Sequence, residues 1–412
     1  MTDAATSLGQ PLTLPCGVQL RNRIAKAAMS ECLADRSGAP TDRLIRLYER
    51  WADDGPGLLI TGNVMIDRAG VAEPGNVVID GDRHAARLSE WASAATSGGA
   101  QAWAQINHGG RQIPRTLNLR PVAPSPVRLA GVGAAFATPR ELTGDEIDTI
   151  IAQFADTART VLAAGFTGVQ VHAAHGYLIN QFLSPLTNQR RDEWGGSPEN
   201  RRRFLLAVVR AIRAEIGPAV PLAVKLNSAD FQRGGFSEDD SMEVVAALAD
   251  ENVDLLEISG GTYESAAMMG VSAQPAKQST REREAYFLDY AEKVRTASTL
   301  PLMLTGGFRT PAGMAAALDS GAIDLVGLAR PLALQPGLAR DILAGQGSVS
   351  TVRPRRIGIR AIDGAAETSW YVHQLHRMGA GKDPNPNQHP VEALARYAVT
   401  AGLDTILRSV TR

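Results

Sequence analysis

The chain has 412 residues, 44% of them hydrophobic and 21% charged, with a formal net charge of −1 at pH 7. That length suits one large α/β barrel or two smaller units, and the near-neutral charge gives no global field for nucleic acid or an anionic membrane surface. Two cysteines, Cys16 and Cys32, exclude a disulfide scaffold and a four-cysteine iron–sulfur cluster; with a polar N-terminus and no apolar run near the roughly 20 residues of a membrane span, they lead us to expect a soluble, cytoplasmic enzyme.

In chain order, eight short apolar runs fall at 24–29, 58–65, 102–107, 168–172, 222–226, 255–259, 301–305 and 325–329. Near-continuous apolar runs fit strands buried on both faces, as in a parallel sheet covered by helices. Between them lie helical stretches with start signals. Thr41 precedes a segment with Leu44, Leu47, Tyr48 and Trp51 on one face, and Thr143-Gly-Asp-Glu146 reads as a capping box. Ser197-Pro198 and Thr310-Pro311 are cap-then-proline pairs, and Ser237 precedes three acids. The run Arg201-Arg202-Arg203 reads as a solvated helix start.

Eight strand–helix units predict an α/β fold, a (β/α)8 TIM barrel over 1–350. The rival open sheet would carry G-x-G-x-x-G after its first strand, and none follows Met29. Residues 351–412 form a C-terminal helical extension packed on the barrel, with a helix expected at 391–408. Two long segments, 108–142 and 260–284 (the second with Tyr263, Met268 and Met269), follow strands three and six. Loops after strands fall on the catalytic face, so both are expected to line a substrate cavity.

The strand ends offer Ser30, Gly62, Gln105, His172 with His175, Lys225, Gly306 with Gly307, and Ala329 with Arg330. The last two pairs follow strands seven and eight, the usual phosphate site of a barrel, where small residues let backbone N–H groups approach an anion. His172-Ala-Ala-His175-Gly-Tyr177 has three readings. Two imidazoles can donate to one carbonyl oxygen with the Tyr177 phenol as proton source; the pair can bind a metal with His108 as third ligand; or both are structural histidines. Lys225 is likewise open between a cation beside an electron-accepting cofactor, a Schiff-base nucleophile and a salt-bridged barrel lysine.

The stretch from His172 reads His-Ala-Ala-His-Gly-Tyr-Leu-Ile-Asn-Gln-Phe-Leu-Ser-Pro-Leu-Thr-Asn, then Arg191-Asp192, Trp194-Gly-Gly-Ser-Pro-Glu-Asn-Arg201 and Arg203-Phe204. It resembles the signature stretch of the Old Yellow Enzyme family, the NADH:flavin oxidoreductases. Asn22-Arg-Ile, Ala27-Ala-Met-Ser30, Gln105-Ile-Asn-His-Gly-Gly-Arg111, Pro124-Ser-Pro126, Gly306-Gly-Phe and Asp324-Leu-Val-Gly-Leu-Ala-Arg330-Pro extend the likeness in order from about residue 8 to residue 345.

The resemblance implies non-covalent FMN at the barrel mouth. Ala28, Met29, Ser30, Gly62 and Gln105 would touch the ring system, and Lys225 would sit near N1 and the C2 carbonyl. Gly306, Gly307, Ala329 and Arg330 would take the phosphate. His172 and His175 would bind a substrate carbonyl, and Tyr177 would give the proton. The implied reaction is reduction of the C=C bond of an α,β-unsaturated carbonyl compound with NADH or NADPH as reductant. An NADH oxidase or a nitro or peroxide reductase on the same cycle stands beside it. The expected partner is a small-molecule substrate, with no nucleic acid and no membrane; oligomeric state is open, a homodimer included. The chain departs from the family at three positions. Ser30 stands where many members have Thr or Cys, Lys225 replaces the more frequent arginine, and Cys32 falls where some relatives place an aromatic residue.

Overall fold

The computed structural model describes residues 3–130, 135–260, 287–396 and 399. Eight parallel strands close on themselves: β1 Ile24–Lys26, β2 Leu58–Met65, β3 Gln101–Asn107, β4 Gly168–Ala173, β5 Leu222–Asn227, β6 Leu255–Ser259, β7 Leu302–Thr305 and β8 Leu325–Leu328. Each pairs with its neighbours, and β8 returns to β1 through Val326↔Ile24 and Leu328↔Lys26. This is a TIM barrel. The strands are buried on both faces because helices cover them outside and side chains fill them inside.

The helices start where their caps dictate. Thr41 accepts the Leu44 N–H and opens Asp42–Asp53, which buries Leu44, Leu47, Tyr48 and Trp51, about 1.5–3 kcal/mol for each fully buried side chain. Thr143 and Glu146 complete the capping box of Gly144–Ala163, and Ser237 with Asp240 does the same for Glu238–Ala249. Ser197 and Thr310 cap helices that begin with Pro198 and Pro311. Arg201 departs from the solvated reading. It is buried, because its guanidinium donates to Leu183 O, Gly196 O and Asp240.

Inside the barrel the chemistry changes with height. Near the strand starts, Leu58, Ile60, Trp103, Ala223, Leu255, Met303 and Leu325 form an apolar plug. Leu12 and Leu20, from an antiparallel pairing of Leu12–Thr13 with Gln19–Leu20, close it from below together with Leu14. Towards the strand ends the inward positions become Gln105, Gln170, Lys225, Glu257 and Thr305. A period of two puts these side chains inside.

The first strand is shorter than its apolar run. It ends at Lys26, and residues 27–33 leave the ladder. Ala27 still donates to Leu328 O, but Glu31 then reaches back to accept the Gly62 N–H at 2.9 Å. The backbone turns, with Cys32 at φ +53°. This frees Ala28, Met29 and Ser30 from pairing and leaves them partly exposed at the mouth.

After the barrel, helix Arg360–Gly379 lies outside the seam between β8 and β1. Arg46 donates to Gly379 O at 2.9 Å, His376 Nε2 donates to Glu31 O at 3.0 Å, and Trp370 donates to Gln388 O at 2.8 Å. Residues 261–284 of the expected segment 260–284 and most of the expected helix 391–408 lie outside the described residues.

Candidate active site

A connected set of buried polar side chains floors the mouth. Gln105 donates through Nε2 to Gln170 Oε1 at 2.7 Å, and Gln170 donates through Nε2 to Glu257 Oε2 at 2.8 Å. The other oxygen of Glu257 takes Lys225 Nζ at 2.9 Å and the Thr305 hydroxyl at 2.8 Å. Glu257 is fully buried and Lys225 nearly so. A buried carboxylate needs such partners. The ion pair makes Lys225 a fixed cation rather than a free amine, the form a Schiff-base nucleophile needs.

His172 lies one residue before the end of β4, directly across from Lys225 on β5. Its Nδ1 accepts the Ala174 N–H at 3.2 Å, which places the ring hydrogen on Nε2. His175 follows at φ +62°, an uncommon backbone for a residue other than glycine, held by Asn227 Oδ1 accepting its N–H. Its Nε2 lies 2.7 Å from Ser259 Oγ, so a donating serine puts the ring hydrogen on Nδ1. Burial holds both imidazoles well below the usual histidine range, with the Lys225 charge acting in the same direction and His175 adding to it at His172. Both rings are therefore neutral at pH 7.

The ring centres of His172 and His175 are 5.1 Å apart, and Tyr177 stands 4.9 Å from His172, edge to face in both cases. Asn107 donates to Asn63 Oδ1 at 2.9 Å, which turns the Asn63 amide hydrogens to Ser30 Oγ at 3.1 Å and the Tyr177 phenol oxygen at 3.5 Å. The ends of β2 to β6 and the turns after β1 and β4 thus converge on one mouth. His108 faces elsewhere. Its Nδ1 accepts the Gly110 N–H and its Nε2 faces Asp67 at 3.8 Å. Among the described residues no three His, Cys, Asp or Glu side chains converge as metal ligands.

Gly62 sits in a bulge of β2, where the register to β3 shifts between Ile60 and Asn63. A Cβ there would collide with Glu31 Oε2 and Met29 O. Gly306 and Gly307 take φ of +123° and +94° after β7. Arg330 opens a short helix after β8. Its guanidinium pairs with Glu367 of the C-terminal helix at 3.3 Å and lies 6.0 Å from the Tyr371 ring. The extension therefore touches the expected phosphate site.

Sequence reasoning named the end residues of the strands but not their supports. Gln170, Asn227 and Glu257 sit at inward positions of β4, β5 and β6, and their polarity in or beside apolar runs was the available signal. Asn63 and Asn107 carry the same signal in β2 and β3. Glu31, Glu73 and Glu367 lie outside the regular strands and gave none.

The sequence pattern of the NADH:flavin oxidoreductase / NADH oxidase family matches residues 7–347. NADH-dependent flavin oxidoreductase iliE of Hypocrea jecorina (strain QM6a) is 38% identical over 355 residues, covering 81% of this chain and 88% of its own length. Its namesake from Neonectria sp. (strain DH2) is 34% identical over 410 residues, covering 89% of this chain, and the chain spans 53% of that relative. Among solved structures, the old yellow enzyme homologue from Zymomonas mobilis matches with a TM-score of 0.72 at 28% identity, over 84% of this chain and 95% of its own. The chain belongs to the NADH:flavin oxidoreductase / NADH oxidase family, of Old Yellow Enzyme type. It is a flavin oxidoreductase, with FMN as cofactor and a nicotinamide as reductant.

Proposed function

We propose that the chain reduces the C=C bond of α,β-unsaturated carbonyl compounds with hydride from NADH or NADPH, and that FMN and substrate meet at the barrel mouth. The donor set suits a flavin. Gln105 has given its Nε2 to Gln170 and has Oε1 to offer as an acceptor, Lys225 supplies a cation, and Gly62, having no side chain, lets Glu31 and Met29 close against β2. Ala28, Met29 and Ser30 would form the adjoining wall, and Gly306, Gly307, Ala329 and Arg330 would hold the phosphate. When bound, FMN would supply the hydride chemistry that links the nicotinamide to the β-carbon of the substrate.

The observation that carries this reading is the clustering of two neutral imidazoles and a phenol at one mouth. His172 and His175 bind the carbonyl oxygen as hydrogen-bond donors and stabilise the negative charge that gathers on it. Tyr177 gives a proton to the α-carbon. The Asn63 amide, donating to the phenol oxygen, stabilises the tyrosinate left behind. The Glu257 network holds the Lys225 ammonium in place before the substrate arrives.

Anaerobic stopped-flow absorbance tests the proposal, mixing FMN-loaded protein with NADH or NADPH and then with cyclohexenone. Bleaching by one nucleotide and recovery with the enone is the expected result. Recovery only with oxygen, a nitro compound or a peroxide would move the activity to an oxidase or nitroreductase. Failure to bind FMN at all would sink the reading.

A further inference from the structure

Ser30 occupies the wall where the flavin is proposed to lie, and its hydroxyl is already engaged on two sides. Its oxygen accepts from Asn63 Nδ2 at 3.1 Å, and the Asn63 amide cannot turn round, because Asn107 donates to Asn63 Oδ1. A serine hydroxyl has one hydrogen, and here it goes to Glu73 Oε2. Glu73 lies in the segment between β2 and Val77–Val78, where its N–H is taken by Asn76 Oδ1 at 2.8 Å. Beyond Ser30 and Asn76, the groups that face it among the described residues are Glu31 and Cys32, from the turn after β1. Gly75 lets that segment press on the turn, since a Cβ there would meet Cys32 O at 2.6 Å.

We propose that Glu73 is a positioning residue that decides where the Ser30 hydrogen points, and thereby sets the reduction potential of the bound flavin as a function of pH. The proposal rests on the cofactor reading above. With Glu73 ionised, the Ser30 O–H is held on the carboxylate by a charge-assisted bond, and only its lone pairs face the mouth. With Glu73 protonated, the carboxyl donates to Ser30 Oγ, and the serine hydrogen turns to the flavin wall as a donor. Charge acts in the same sense, because a carboxylate beside the ring disfavours the electron-rich reduced form. Burial pushes the Glu73 carboxyl up from its ordinary value, with the Glu31 charge adding to it against the hydrogen bonds of Ser30 and Asn76. The switch thus works above the range in which an exposed glutamate titrates.

The test is the midpoint potential of bound FMN, by dye-equilibrated reductive titration from pH 5 to pH 9, in wild type, Glu73→Gln, Ser30→Ala and the double variant. An amide cannot ionise and can donate to Ser30 Oγ, so Glu73→Gln keeps the protonated arrangement at every pH. The expected result is a higher potential in Glu73→Gln at pH 8, with the gap to wild type narrowing as pH falls. One hydrogen bond involving a charged group amounts to about tenfold in the oxidised-to-reduced ratio, about 30 mV for a two-electron couple. The difference shrinks in the Ser30→Ala background if it travels through the hydroxyl. Should Glu73→Gln fail to fold, the curves of wild type and Ser30→Ala decide, since the first bends more strongly as Glu73 titrates, and equal bending would overturn the role of the Ser30 hydrogen. FMN bound with coincident curves overturns this proposal alone. A wild type that takes up no FMN overturns the cofactor reading and this proposal together.

Discussion

Lys225→Met removes the cation from the floor of the mouth and leaves Glu257 as a fully buried carboxylate. Breaking a buried ion pair on one side costs about 3–5 kcal/mol. Glu257 keeps two donors, Gln170 at 2.8 Å and Thr305 at 2.8 Å, which places the loss near the lower end, about 3 kcal/mol. Unfolding entropy of roughly 2.1 cal/mol/K per residue over 412 residues comes to about 0.9 kcal/mol/K, so the melting temperature of FMN-free protein should fall by about 3–4 °C.

Differential scanning fluorimetry reads the loss. A second change, Glu257→Gln, removes the stranded charge and should recover part of it. Equal melting temperatures for Lys225→Met and wild type would refute the view that Glu257 depends on Lys225.

The His172→Ala/His175→Ala double variant should keep FMN but slow recovery of the flavin by enone, at about 10²–10³ per lost donor; a wild-type rate in stopped-flow would remove both from carbonyl binding. Tyr177→Phe should slow the same half-reaction and spare reduction by nucleotide, as separate mixing of the two steps would show. Gly62→Ala forces a methyl into Glu31 and Met29, at about 1–3 kcal/mol; it should lower both melting temperature and FMN affinity, the latter read by flavin fluorescence. Arg140 and the Thr143 N–H hold Glu146 at about 2, against an ordinary 4.5, so its contribution is present above pH 4.5 and lost as pH falls towards 2. On an exposed side chain that contribution is below about 1 kcal/mol, and the stability curves of Glu146→Gln and wild type should separate above pH 4.5 and merge near pH 2.

The barrel was legible because each level of the sequence agreed with the next. Apolar runs marked buried strands, and Thr41, Thr143, Ser197, Ser237 and Thr310 marked helix starts where the caps are found. The first strand was read too long, since Ala27 to Met29 continue its apolar pattern. What ends it is a contact across the fold, Glu31 on the Gly62 N–H, and no local propensity encodes that. Of the candidate site, the gathering of His172, His175, Tyr177 and Lys225 at one mouth was legible through their place at strand ends and the family likeness. Their supports were not, because a polar residue inside an apolar strand announces a partner without naming it. Gln170 needed Glu257, and Ser30 needed Glu73, from segments that only the closed barrel brings together.

Helix Arg360–Gly379 fastens the last strand to the first from outside, through Glu367 on Arg330 and through His376 and Gly379 on Glu31 and Arg46. These last two ties span 345 and 333 residues of sequence. On a ribosome the N-terminal strands emerge first, so Glu31 and the strand-one turn wait 345 residues for their clasp. Chains released before this helix would carry every strand yet leave the seam unfastened at both walls of the proposed flavin cleft. Completion of the proposed cofactor site is thereby tied to synthesis of helix Arg360–Gly379.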